Sequence, residues 1–331
     1  MLGVRYDLRL PSASSVDRKH FLDVALEQIE WADGLGFGSV TLSEHHGSAD
    51  GYLPSPMVFA AAVATRTHDL FINLGALIVP LHDPLRIAED LAVVDLLSGG
   101  RLVVTVAAGY VESEFEMFGK RLADRGASVE RAVEVLKAAW TGEPFELDGR
   151  TVRVTPRPFQ DPRPMILMGG QTRAAARRAA RIADGYVPVS PDCWDDYRAA
   201  VVELGKPDPG PTGPTPPRFV YVADDPDRAW ARIASACLHE TNAYGAWAQR
   251  SGLDNGYRVF GDDADALRAT GMYPVVTPDG CIELARTLGP SGALVFHPLC
   301  GGMDPDVSWE SLRLFEQKVL PTLRADAATG S

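Results

Sequence analysis

Three consecutive residues, Glu44-His45-His46, combine a carboxylate with two imidazoles directly after the apolar run Ser39-Val40-Thr41-Leu42. Imidazoles accept and release protons near neutral pH, and a neighbouring carboxylate can orient one of them. A buried strand has no use for such side chains in its core, so their place at a strand exit points to proton transfer or ligand binding at the end of a sheet. The local alternative is a loop held by histidine hydrogen bonds. A metal is the other option: carboxylate and imidazole suit Zn, Fe or Mn. It would need further ligands, for which His82 and His297 are available, but no His-x-His spacing supports it.

Two more segments carry candidate chemistry. Asn73-Leu74-Gly75-Ala76-Leu77 reads as a strand whose internal glycine allows a ligand close to the backbone. Met168-Gly169-Gly170-Gln171-Thr172 follows an apolar run and precedes a helical pattern. Glycines before a helix N-terminus can present N–H groups to an anion, and Arg173 and Arg177 could neutralise a phosphate there. The simpler reading is a short turn closed by a Thr172 cap.

The elements that must position these residues follow a repeating order. Strands are expected at Val4–Leu10, Gly38–Leu42, Phe71–Val79, Leu102–Ala107, Met165–Met168, Tyr186–Val189, Phe219–Ala223 and Ala293–His297. Helical patterns separate them, including Phe21–Leu35, a helix opened by Asp83-Pro84 and closed by Gly99-Gly100, and Val129–Thr141. Glu143–Phe159 reads as a strand–turn–strand excursion around Asp148-Gly149. Eight buried strands alternating with helices predict an α/β fold, a (β/α)8 barrel, with a doubly wound sheet as the alternative. The whole chain, 1–331, reads as one domain, in which 224–292 is an extra, helical section expected to act as a lid.

Composition narrows the classes. With 44 acidic and 32 basic residues the formal net charge is −12, and no long basic cluster occurs, so nucleic acid and anionic membranes are not expected partners. No apolar run approaches the roughly 18 residues that span a bilayer, and the first residues lack a signal-peptide core, so the expected compartment is the cytoplasm. The four cysteines, Cys193, Cys237, Cys281 and Cys300, are widely spaced and read as free thiols. There is no P-loop and no Gly-x-Ser-x-Gly elbow, and Gly34-x-Gly36-x-Gly38 follows a helix rather than a strand. Kinase, serine-hydrolase and NAD-type dehydrogenase readings lose support accordingly.

Taken in order, these segments resemble the bacterial-luciferase-like family of flavin-dependent monooxygenases, which also holds enzymes using the deazaflavin coenzyme F420. The likeness is carried by Glu44-His45-His46 with Leu53-Pro54-Ser55-Pro56; by Leu74-Gly75 through Pro80, His82, Pro84 and Arg86-Ile87-Ala88-Glu89-Asp90; and by Leu96-Leu97-Ser98-Gly99-Gly100-Arg101-Leu102. Gly109-Tyr110 with Glu114-Phe115 and Phe118-Gly119, then Gly169-Gly170 with Ala180–Gly185, extend it.

The resemblance implies a (β/α)8 barrel with an insertion near its mouth, usually a homodimer or higher homo-oligomer. It implies reduced FMN supplied by a separate flavin reductase, O2, and a small organic substrate. His45 takes the position that assists oxygenation in luciferases, with His46 and Glu44 orienting it or meeting the substrate. Ala76 and Leu77 mark the place of a non-prolyl cis peptide against the flavin ring. Gly109 and Tyr110, and the loop of Gly169, Gly170, Gln171 and Thr172, fall where the cofactor is held. Tyr244 and Trp247 are the candidate walls of a substrate pocket. One departure stands out: luciferases carry an Arg before the glycine after the fourth strand, and here that residue is Ala108. F420-dependent hydride transfer without O2 is therefore the alternative activity. A non-catalytic flavin store or sensor and a metal-dependent barrel hydrolase are the remaining readings.

Overall fold

The computed structural model of the protein describes residues 1–189, 191–289 and 291–329. Its strands are β1 (Leu2–Tyr6), β2 (Ser39–Leu42), β3 (Phe71–Leu77), β4 (Leu102–Val106), β5 (Phe145–Leu147), β6 (Arg150–Val152), β7 (Met165–Gly170), β8 (Gly185–Pro188), β9 (Tyr221–Val222), β10 (Val275–Val276) and β11 (Leu294–Phe296). The helices are α1 (Arg18–Gly34), α2 (Pro56–Ala64), α3 (Pro84–Ser98), α4 (Glu112–Met117), α5 (Arg125–Ala139) and α6 (Arg173–Ile182). They continue as α7 (Pro191–Glu203), α8 (Pro226–Ser251), α9 (Ala264–Ala269), α10 (Pro278–Leu288), α11 (Pro305–Leu314) and α12 (Leu320–Thr329). The chain forms two compact units: Met1–Val40 with Ala49–Tyr52 and the chain from Gly213 onward, and Thr41–Ser48 with Leu53–Thr212.

In the second unit, β3, β4, β7 and β8 lie side by side and parallel, with Ile72 opposite Leu102, Val104 opposite Ile166 and Leu167 opposite Gly185. Strands covered by helices on the crossovers are apolar nearly throughout, which is why Leu102-Val103-Val104-Thr105-Val106 shows so little polar alternation. In the first unit β1 pairs with β11, Leu2 opposite Leu294, and β9 with β10, Tyr221 opposite Val275, both in parallel. The protein is an α/β fold of parallel strands joined by helices.

Local signals set the element ends. Asp83 accepts from the N–H groups of Leu85 and Arg86 and Pro84 follows it, while Gly99 takes φ +66° beyond the last turn of α3. The same acidic cap and proline open α8 at Asp225-Pro226 and α11 at Asp304-Pro305. Asp148 and Gly149 both take positive φ, 50° and 71°, the two-residue hairpin turn that joins antiparallel β5 and β6.

Several expected boundaries move. β1 stops at Tyr6 rather than Leu10, because Leu8 turns to φ +54° and leaves the extended region. The seventh expected strand, Phe219–Ala223, shrinks to Tyr221–Val222, and its partner is β10, inside a section expected to be helical. Two-residue strands are too short to leave a periodic trace. Gly169 and Gly170, expected in a loop, are the last residues of β7. The final helix is interrupted by a π-helical turn at Phe315–Val319.

One cation ties the start of the second unit's sheet together. The Arg101 guanidinium donates to Ser98 O, Thr67 Oγ1, Leu70 O, Ala64 O and Thr67 O at 2.7 to 3.1 Å, joining the end of α2, the entry to β3 and the end of α3. Lysine has neither the planar fork nor enough donors to serve this set. Arg101→Lys is expected to lower stability by about 2–4 kcal/mol, read as a fall in the urea midpoint with an unchanged slope.

Candidate functional site

The carboxylate of Glu44, 2% exposed, gathers three donors. Its Oε1 lies 2.9 Å from His46 Nε2 and 2.6 Å from His82 Nε2, and its Oε2 accepts the Ile78 N–H at 2.5 Å. Burial alone would raise its pKa. The hydrogen bonds from His46 and His82, the His82 charge and the Ile78 N–H outweigh burial and hold Glu44 at about 2. Glu44 is thus ionised at neutral pH, and its capacity is spent on organising its neighbours. The His46 ring also packs edge-on against Phe118, 4.7 Å between centroids.

These three side chains are also a group whose ligand atoms lie within 4.8 Å of one another. Donors about 2.1 Å from one ion and at right angles or wider would stand about 3 Å apart or more. The separations of 2.6 and 2.9 Å are those of shared protons. His297, the other expected metal ligand, belongs to the first unit, where it lies 3.2 Å from Glu240 and 3.5 Å from Asp7.

His45 uses a different carboxylate. Its Nδ1 is 2.7 Å from Glu114 Oε1, and the same oxygen accepts the His46 N–H at 2.9 Å. Glu114 comes from α4 and is fully buried, as is Phe115 beside it. Phe115 packs with Ile78 and Leu81 in one apolar cluster. Gly109 lies against that cluster at φ +72°, where a Cβ would come within 2.8 Å of Ile78 and 3.0 Å of Phe115, so only glycine passes there. Tyr110, next in the chain, sets its ring edge-on to His45 at 5.8 Å.

Beside these imidazoles, the carboxyl ends of the adjacent strands β3, β4 and β7 run into small residues: Gly75-Ala76, Ala107-Ala108-Gly109 and Gly169-Gly170. All seven are partly exposed. The peptide between Gly75 and Ala76 is cis, one bond before Ala76-Leu77, and Gly75 O accepts from Ser43 Oγ at 2.9 Å, which joins this end of β3 to the exit of β2. Leu77 itself is fully buried. These strand ends thus present backbone and methyl groups, the kind of surface a flat ring can lie against.

Further along, Gly170 O accepts from Tyr186 Oη at 2.8 Å and a Cβ on Gly170 would meet Ala175 at 2.5 Å, so the turn into α6 is tight. Thr172 Oγ1 caps α6 by accepting the Ala175 N–H. Arg173 and Arg177 are ion-paired with Asp196 and Glu203.

The sequence profile of the luciferase-like monooxygenases matches residues 10–293. The chain belongs to that family. A 4-hydroxyprotoasukamycin monooxygenase of Streptomyces nodosus subsp. asukaensis is 31% identical over 140 residues, 40% of this chain and 38% of that protein. An FMNH2-dependent dimethylsulfone monooxygenase of Pseudomonas putida is 30% identical over 182 residues, 53% of this chain and 46% of that one. In both cases the match spans less than half the relative's length. The crystal structure of the monooxygenase RslO1 from Streptomyces bottropensis is similar at a TM-score of 0.75 and 26% identity, over 97% of this chain and 99% of that one.

In this luciferase-like chain the expected site residues fall into two groups. Glu44, His45, His46, Ala76, Leu77, Gly109, Tyr110, Gly169, Gly170, Gln171 and Thr172 all lie in the second unit. Tyr244 and Trp247 lie in the first, on α8. There, with Tyr52, they surround the Arg9 guanidinium at 4.6 to 4.7 Å from each ring centroid. Arg9 is fully buried and paired with Asp50 at 2.6 Å and Asp7 at 3.3 Å. Tyr244 and Tyr52 share a hydroxyl–hydroxyl bond of 2.8 Å. Arg9, Asp50 and the role of Glu114 escape sequence reading. The signals available were a charged residue beside an apolar strand and an acidic residue inside a short helix.

The Glu44 network carries a pH signature. Its folded pKa of about 2 lies below the ordinary 4.5, so its contribution is complete above about 4.5 and is lost as pH falls toward about 2. Glu44→Gln is therefore expected to be less stable than wild type at neutral pH by roughly 3 kcal/mol. The gap should close over that acid range in urea denaturation at a series of pH values; a gap constant with pH would show that charge is not what the network uses.

Proposed function

We propose that the protein is a flavin-dependent monooxygenase that uses reduced FMN, delivered by a separate reductase, and O2 to oxidise a small organic substrate. The observation that carries this reading is the buried His45–Glu114 pair, with the imidazole edge-on to Tyr110 just past the small residues that end β4. Family membership and the oxygenases among the relatives support it. Ala76, Leu77 through its backbone, Gly109 and Tyr110 would hold the ring, and Gly169, Gly170, Gln171 and Thr172 the phosphate end. Reduced flavin supplies the electrons and the O2-reactive centre when bound.

The chain's own contribution is proton control and positioning. His45 exchanges a proton at the ring edge. Glu114 holds His45, while ionised Glu44 fixes His46 and His82 rather than donating a proton itself. The strand ends orient a planar group and keep bulk water off one face. Tyr244 and Trp247 are proposed to meet the substrate. We also propose the finer architecture of the family: one domain closing as a (β/α)8 barrel, with 224–292 as its insertion, in a cytoplasmic homodimer. Val93, Leu96 and Leu97, each more than 40% exposed on α3, support association.

Coenzyme F420 is the second reading for the same strand ends. It is favoured by Ala108, which stands where luciferases place an arginine.

Fluorescence titration of the apo-protein should show tight binding of FMN; tight F420 binding without any response to FMN would reverse the cofactor assignment. With FMN loaded and reduced, His45→Ala is expected to cut substrate oxygenation by 10²–10⁴-fold while leaving FMN affinity little changed. Unaltered turnover in that variant would remove His45 from the chemistry.

A further inference from the structure

We infer that Glu114 is the positioning residue of the site: it fixes His45 in the Nδ1–H tautomer and so makes Nε2 the ring's proton acceptor. The inference rests on the reading of His45 as the acid/base, and it names the atom that does the work.

The geometry is specific. A carboxylate can only accept, so the 2.7 Å contact between Glu114 Oε1 and His45 Nδ1 places the ring proton on Nδ1. The His46 N–H reaches the same oxygen at 2.9 Å, which locks the peptide joining the two histidines as well as the first ring. His46 and His82 are held the opposite way round, each by Nε2 on Glu44. Among these three imidazoles, His45 is thus the one whose carboxylate bond leaves the outer nitrogen, Nε2, in the acceptor state.

Burial makes a purely structural role for Glu114 costly. Its side chain is fully buried, and its Oε2 has no hydrogen-bond partner among the described residues. A carboxylate with half its acceptor capacity unused inside a protein loses stability relative to an apolar side chain of similar size. What that cost secures is orientation. Phe115, the next residue, is anchored on Ile78 and Leu81, and Ile78 donates its N–H to Glu44. Both carboxylates that hold the histidines are therefore mounted on one packed cluster.

The test is nitrogen-detected NMR of the imidazoles in protein labelled with ¹⁵N-histidine, with His45→Asn assigning the His45 signals. Wild type is expected to show His45 as the Nδ1–H tautomer, and Glu114→Ala to lose it. Glu114→Gln keeps an oxygen for both donors, so it should retain the tautomer and recover part of the activity. In steady-state kinetics, Glu114→Ala should lower kcat on the order of 10²-fold with KM little changed, and should add nothing in a His45→Ala background. An Nε2–H tautomer in wild type, or an unchanged tautomer in Glu114→Ala, overturns the inference. Should Glu114→Ala fail to fold, the wild-type and Glu114→Gln spectra still decide. The tautomer is read without turnover, so a failure of the acid/base reading of His45, seen as full activity in His45→Ala, is distinguishable from a failure of this one.

Discussion

Taking a carboxylate out of water costs several kcal/mol unless donors replace the lost solvent. Glu44 meets that constraint with two imidazole N–H groups and one backbone N–H, and the second unit is arranged so that these arrive together. Ile78 can donate because the chain leaves β3 at Leu77 and turns there, freeing its N–H from the ladder. His82 arrives because a single 3₁₀ turn, Val79–Leu81, carries the chain back before Asp83 starts α3. His46 is drawn in by Phe118 from beyond α4. Segments far apart in sequence are thus held by one anion, which is why the residues around it are small, tightly turned or capped.

The first unit meets the same constraint differently. Arg9 is compensated by Asp7 and Asp50, and its faces by three aromatic rings. Nearby, burial and the Arg5 charge press His297 toward neutrality, but Asp7, Cys300 and Glu240 prevail and its pKa rises well above the ordinary value. Here charges balance as a group: among the described residues Asp7 Oδ2, Arg9 Nε and Nη2 and both His297 nitrogens find no hydrogen-bond partner, whereas Glu240 accepts from Arg5, Tyr273 and Cys300. Networks of this kind gain little net stability but tolerate few substitutions, since removing one member strands the others.

What could be read from the chain was decided by range. Glu44-His45-His46 was visible because polar residues directly after a buried strand contradict the core pattern. The ends of α3 and the β5–β6 hairpin are legible because Asp83-Pro84 and Gly99, and Asp148-Gly149, act within a few residues. Glu114 was visible only as part of a family pattern, since its partners lie 68 and 69 residues away. In the sequence His82 is only available to a metal and part of the family pattern; its bond to Glu44, across 38 residues, makes it a partner of that carboxylate. The pairing of β9 with β10 left no trace because two residues cannot show a period. Gly169-Gly170 err in the opposite direction: glycines suggest a loop, yet pairing with Val187 and Pro188 on β8 keeps them extended.

The partition of the histidines between two carboxylates has a consequence for how protons enter. The His82 side chain is 19% exposed, whereas those of His46 and His45 are 6% and 8% exposed. Glu44 Oε1 joins His82 to His46, so that branch has a conduit to bulk water. His45 hangs on Glu114, whose carboxylate reaches neither of those rings through a side-chain bond. His45 is therefore anchored on a different carboxylate from the solvent-facing His82. Protonation of His82 thus bears directly on His46, through the oxygen the two rings share.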